Sequence, residues 1–149
     1  MWAEFAGRYH IKDADYEAWA FGGDADELAR LVLEGVKTAT SSAFPLYALE
    51  EEPLPEEGEY SVILDGRGNA VCVIRTEKVA AVPFRDVGAE HARREGEGDL
   101  SLAYWRQIHE AFFTQELAQA GLAFTPDMPV VCEEFRRVWP EKGGKTDVD

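Results

Sequence analysis

The order of apolar, β-branched and helical stretches predicts an α+β domain: a small set of strands able to curl into a small β-barrel, with flanking helices. Helical patterns open the chain, strand patterns follow, a helical insertion interrupts them and a strand closes the sequence, which argues against a parallel α/β sheet. A length of 149 residues suits one compact core, and four Trp, five Tyr and eight Phe supply large side chains for it. Residues 1–140 are expected to form this single domain and residues 141–149 a flexible C-terminal tail.

Residues 13–21 and 24–33 read as two short helices, the second capped by Asp24 and carrying Leu28, Leu31 and Val32 on one side. Gly35 ends it. From Lys37 to Phe44 the composition turns to Thr, Ala and Ser, which suits a short strand. Residues 49–58, with five Glu and two Pro, read as an acidic surface loop. Residues 60–64 and 70–82 read as strands joined by Asp65-Gly66-Arg67-Gly68-Asn69, a hairpin connection. A helix is expected over 88–94, then a turn over 95–99. A long helix over 101–120 follows, with Leu102, Trp105, Ile108, Phe112 and Leu117 as its core stripe. Residues 129–139 alternate as a closing strand.

Charge and composition narrow the function. The chain carries 29 acidic against 15 basic residues, a net −14. A protein that grips long duplexes by their phosphates presents a basic face, so that class is set aside. A short single strand or one nucleoside, recognised by stacking and a few hydrogen bonds, stays compatible. No run approaches the roughly 18 to 20 apolar residues that span a bilayer, and the opening Met1-Trp2-Ala3-Glu4 lacks a signal-peptide pattern, so a cytoplasmic protein without membrane contact is expected. Cys72 and Cys132 lie far apart in apolar stretches and read as buried thiols. No phosphate-cradling loop, nucleophile elbow or zinc spacing occurs. No metal or cofactor is predicted.

The segment Gly35-Val36-Lys37-Thr38-Ala39-Thr40-Ser41-Ser42 holds the first chemical candidates. Strict strand alternation would separate Lys37 from Thr40, but a bend after Gly35 could unite amine and hydroxyl. Such a pair either grips an anion or activates a nucleophile; the plainer reading is a surface Lys beside strand hydroxyls. The carboxylates of Glu95, Glu97 and Asp99 lie on a glycine-rich turn, suited to acid–base work or simply to capping between two helices. Arg106 and His109 could reach a cleft from the long helix, and Tyr47 could stack at its rim or pack.

Taken in order, Gly35-x-Lys37-Thr38-x-Thr40, the strand ending at Val79-Ala80-Ala81-Val82-Pro83-Phe84, the turn 95–99 followed by Ser101-Leu102 and Trp105-Arg106, and Cys132-Glu133-Glu134-Phe135 resemble the ASCH family in its longer bacterial form, over residues 15–139. The resemblance implies a PUA-like β-barrel with a cleft between barrel and helices, acting on single-stranded RNA or a nucleoside or nucleotide. Some members hydrolyse single-stranded RNA, and a smaller relative hydrolyses the amide of N4-acetylcytidine. Matched to that relative, the catalytic set is Lys37, Thr40 and Glu95. Thr38, Ser41, Ser42, Tyr47, Arg75, Arg106 and His109 are expected to line the substrate, either as hydrolase residues or in a module that only binds. Where family members often carry Arg two residues beyond the Thr, this chain has Ser42, which removes a bidentate anion clamp.

Overall fold

The computed structural model describes residues 1–12 and 15–141; the expected tail lies, except for Glu141, outside them. Five strands form one mixed sheet, in the order Tyr16–Trp19, Tyr60–Leu64, Ala70–Pro83, Pro129–Trp139 and Ala39–Ala43. The elements are α1 (Trp2–Arg8), β1 (Tyr16–Trp19), α2 (Ala25–Leu33), β2 (Ala39–Ala43), α3 (Phe44–Leu49), β3 (Tyr60–Leu64), β4 (Ala70–Pro83), α4 (Ala89–Glu95), α5 (Leu102–Gln119) and β5 (Pro129–Trp139), with a short 3₁₀ turn, Phe84–Asp86, before α4.

The sheet is not a closed barrel. Its backbone is the long antiparallel pair of β4 and β5, while β1 pairs in parallel with β3 alone and β2 pairs antiparallel with β5 alone. The two edge strands have only four and five residues. Residues of both, Trp19 and Thr40 among them, border one cavity, which stands where closure would require hydrogen bonds.

The expected helix over 13–21 is corrected to β1. Tyr16 to Trp19 pair with Tyr60 to Ile63, and aromatic and tertiary contacts decide the matter: Tyr16 stacks on Trp2 at 4.4 Å and Trp19 meets Phe21 edge-on at 4.8 Å. Asp13 and Ala14 lie outside the described residues. Two helices were not anticipated. Helix α1 buries Phe5 against Val62 and Val73, and α3 starts with Pro45 in its first turn, a position that tolerates the missing N–H. The remaining elements agree with the sequence to within a residue or two. Asp24 caps α2 by accepting from the Glu27 N–H at 3.1 Å, and Ser101 caps α5 by accepting from the Tyr104 N–H at 3.0 Å.

Two apolar clusters frame the functional region. Phe84, Trp105, Phe113, Leu117 and Val130 pack α5 against one face of the sheet, and Phe21, Ala29, Val32, Ile63, Ile74 and Phe135 pack α2 against the other. Among the described residues no helix is long and apolar enough to cross a membrane.

Candidate functional site

Helix α4 and the segment before β2 are joined backbone to backbone. The Thr38 N–H donates to the Arg94 carbonyl at 2.7 Å, and the Thr38 carbonyl accepts from the Phe135 N–H at 3.0 Å. Gly96 ends α4 at φ +74°, and a Cβ there would lie 2.7 Å from the Val36 carbonyl oxygen, so only glycine lets the two segments meet. This docking bends the chain just ahead of β2 and aims Lys37 inward, and Lys37 and Thr40 border one chamber.

Lys37 is 1% exposed. Its Nζ donates to the Ala39 carbonyl at 3.0 Å, the Glu95 carbonyl at 3.4 Å, Glu95 Oε1 at 3.1 Å and Glu97 Oε2 at 2.9 Å. Oxygen acceptors surround the nitrogen on these sides, an arrangement made for an ammonium rather than for a free amine lone pair. The Phe21 ring lies 5.1 Å away and adds a cation–π contact.

Glu95, 2% exposed, is held by donors as completely as Lys37 is by acceptors. Its Oε2 accepts from Trp105 Nε1 at 2.7 Å and from the Ser41 hydroxyl, and lies 3.1 Å from His91 Nε2; His109 Nε2 lies 3.6 Å from Oε1. Burial alone would push this carboxyl up. The Lys37 charge and the hydrogen bonds from His109 and His91 more than reverse that, holding it well below the usual carboxylate range. Ser41 Oγ is also 2.8 Å from His91 Nε2, so Ser41, His91 and Glu95 touch one another pairwise. This differs from a linear serine triad, because the same imidazole nitrogen faces both hydroxyl and carboxylate. His109 donates from Nδ1 to the Trp105 carbonyl at 3.0 Å, which fixes its ring 4.4 Å above Trp105.

This network forms part of the wall of a two-chambered cleft. The smaller chamber, about 490 Å³, is bordered by Lys37, Glu95, Glu97, Tyr104, Ile108 and His109. The larger, about 660 Å³, is bordered by Trp19, Ser42, Tyr47, Thr76 and Glu133. Phe21, Gly22, Thr40, Ser41 and Phe112 border both. A Cβ on Gly22 would stand 3.2 Å from the Phe112 ring, so backbone and ring approach closely at this waist. Ser42 and Tyr47 hydroxyls are 2.6 Å apart, and burial pushes the Tyr47 phenol up.

Of the residues expected from sequence, Lys37, Thr40, Glu95, Ser41, Ser42, Tyr47 and His109 border this cleft. Three do not. Thr38 is turned to the Arg94 carbonyl, Arg75 pairs with Glu77 at 3.0 Å on the surface, and Arg106 donates to the Arg85 carbonyl at 3.1 Å. His91 and Glu133 were missed. The first was legible as a histidine one helical turn before Glu95, on the same face; the second only from strand register, since Glu133 faces Thr40 across the ladder. Among the described residues no group of three or more His, Cys, Asp or Glu side chains could hold a metal ion.

The family model described as the ASCH domain matches residues 17–139. The chain belongs to the ASCH family. Two solved structures resemble this ASCH domain over nearly its whole length. An ASCH domain from Lactobacillus crispatus JV V101 is 30% identical, with a TM-score of 0.87 over 92% of this chain and 91% of that one. A protein from Enterococcus faecalis V583 is 38% identical, with a TM-score of 0.85 over 92% and 85%. An ASCH mutant protein from Zymomonas mobilis shares the fold at 13% identity and a TM-score of 0.54, over 80% of this chain and 67% of that one. No curated protein matches the chain. The ASCH fold thus places Lys37, Thr40 and Glu95, drawn from three stretches of sequence, along one concave surface.

Proposed function

We propose that this ASCH domain is a hydrolase acting on a modified nucleoside, cleaving an amide such as that of N4-acetylcytidine. The observation that carries this reading is the convergence of a buried ammonium, a buried carboxylate and a hydroxyl at Thr40 on the smaller chamber. Family membership supports a substrate related to RNA. A nucleoside is favoured over a strand because, apart from Lys37, no Lys or Arg borders either chamber among the described residues. Glu17, Glu52, Glu59, Glu116 and Glu133 all border the larger one. A phosphate chain entering that field would be repelled.

In this reading the Thr40 hydroxyl adds to the amide carbonyl and the Lys37 ammonium stabilises the oxyanion. As the oxyanion competes for Lys37, Glu95 loses its main counter-charge and gains proton affinity, so it takes the hydroxyl proton and returns it to the departing amine. Water then releases the acyl group as a carboxylic acid and regenerates Thr40. The test is to incubate the protein with N4-acetylcytidine, and separately with single-stranded RNA, beside Lys37→Ala and Thr40→Ala. Cytidine and acetate formed by the wild type and lost in both variants are expected. Cleavage of RNA with the nucleoside left intact, or full activity in Lys37→Ala, would refute the assignment.

A further inference from the structure

The larger chamber holds groups for which the hydrolytic step has no use. Glu133 faces Thr40 across the β2–β5 ladder, and its Oε1 accepts from Thr76 Oγ1 at 3.5 Å. Trp19, Phe21, Tyr47 and Phe112 border the same space. We propose that this chamber is a nucleobase subsite, in which the ring lies against these aromatic side chains and Glu133 reads the base edge where a hydrogen-bond donor adjoins an acceptor. The assignment rests on the nucleoside reading above and goes beyond it by naming the group that recognises the base and the edge that it recognises.

Position is the first argument. Directly opposed residues of an antiparallel pair point to one face with Cβ atoms about 4.5–5.5 Å apart. A base engaged by Glu133 therefore carries its exocyclic substituent towards Thr40, the residue at the waist of the cleft. Charge is the second. The carboxylates around the chamber disfavour phosphate but not an uncharged planar ring, for which aromatic side chains supply stacking surface.

The chemistry of Glu133 is the third. Burial pushes its carboxyl up to about 7; the Thr76 hydrogen bond opposes this, and the charges of Glu59 and Glu17 add to it. Besides those of Glu17 on β1, Thr76 on β4 and Glu59 ahead of β3, the polar groups bordering the chamber include Tyr47 on α3, Glu52 in the following loop and Glu116 on α5. The protonated carboxyl sets an O–H donor beside a C=O acceptor. That face complements N3 and the N4–H of cytosine. The ionised form offers acceptors only and complements the two adjacent donors of guanine instead.

Calorimetric titration with cytidine, guanosine and cytidine 5′-monophosphate at pH 6 and pH 8.5 tests this. Wild type should bind cytidine at pH 6 and lose roughly tenfold to thirtyfold in affinity by pH 8.5, as the binding-competent protonated fraction falls. The monophosphate should bind more weakly than cytidine at both. Glu133→Gln, whose amide keeps a donor beside an acceptor, should bind cytidine with no such pH dependence, and Glu133→Leu should lose roughly tenfold or more. Should Glu133→Leu fail to fold, the pH profile of Glu133→Gln decides alone. Unchanged cytidine affinity in Glu133→Leu, a pH dependence that persists in Glu133→Gln, a guanosine preference at pH 6, or no nucleoside binding would overturn the subsite. Binding that follows Glu133 without any amide hydrolysis would leave the subsite standing and remove the hydrolase reading. Hydrolysis that needs Lys37 but ignores Glu133 would do the reverse.

Discussion

Replacing Lys37 by Met removes the ammonium while keeping a long apolar side chain, and it leaves the Glu95 carboxylate buried without its principal counter-charge. Breaking a buried pair from one side costs about 3–5 kcal/mol. The lower end applies here, because Trp105, Ser41 and His91 still donate to Glu95. A loss of about 3 kcal/mol lowers the melting temperature of a domain this size by roughly 6–12 °C. Glu95→Gln alone is also costly: its carbonyl must serve Trp105 and Ser41, which turns its NH₂ towards the Lys37 ammonium, donor against donor. The double variant removes that conflict. With Met at position 37 no ammonium stands opposite that NH₂. The combined cost should therefore fall short of the sum by about 1–3 kcal/mol. Urea unfolding of wild type, both single variants and the double variant measures this cycle. Strict additivity, or a Lys37→Met loss below about 1 kcal/mol, would refute the claim that the two charges meet in a desolvated pair.

Two further outcomes follow from the same network. Trp105→Phe keeps most of the ring packed against Phe84 but deletes the N–H that reaches Glu95 at 2.7 Å, and should cost about 1.5–3 kcal/mol in urea unfolding, beyond the change in apolar volume. Gly96→Ala sets a Cβ 2.7 Å from the Val36 carbonyl oxygen at a positive φ. It should cost more than the roughly 1 kcal/mol of an ordinary left-handed Gly→Ala change and, by pushing the Lys37 segment off α4, should also lower any activity that depends on Lys37; stability and turnover left both unchanged would contradict it.

The sequence pattern located most of the sheet and the long helix because strand and helix periods leave strong local traces. The ends of β3 and β5, Tyr60–Leu64 and Pro129–Trp139, were legible from β-branched and alternating residues between turn signals. β1 was not, since four residues carry too little period to outweigh a helical reading, and its strand state is imposed by parallel pairing with β3. The site divides in the same way. Lys37, Thr40 and Glu95 were candidates from their residue types, and the resemblance joined them into one set, but nothing local indicates that the Lys37 side chain folds back to the Ala39 carbonyl. Arg75 and Arg106 were misplaced because a cation's address depends on which carboxylate or carbonyl its face of the element presents, here Glu77 and the carbonyl of Arg85.

Stability alone gives a poor account of the Lys37–Glu95 pair. Replacing a buried ion pair by apolar side chains of similar volume is often neutral or stabilising, because the mutual attraction barely repays the loss of hydration. The apolar clusters on the two faces of the sheet already join α2 and α5 to it without help from these charges. Yet the pair is provided with its own donors from β2, α4 and α5, and it borders the smaller chamber, with Thr40 on the same wall. A charge pair that apolar side chains could replace at little cost to the fold, hydrogen-bonded in place and bordering a cleft beside a hydroxyl, is what the proposed hydrolysis requires, since there the oxyanion competes for the ammonium.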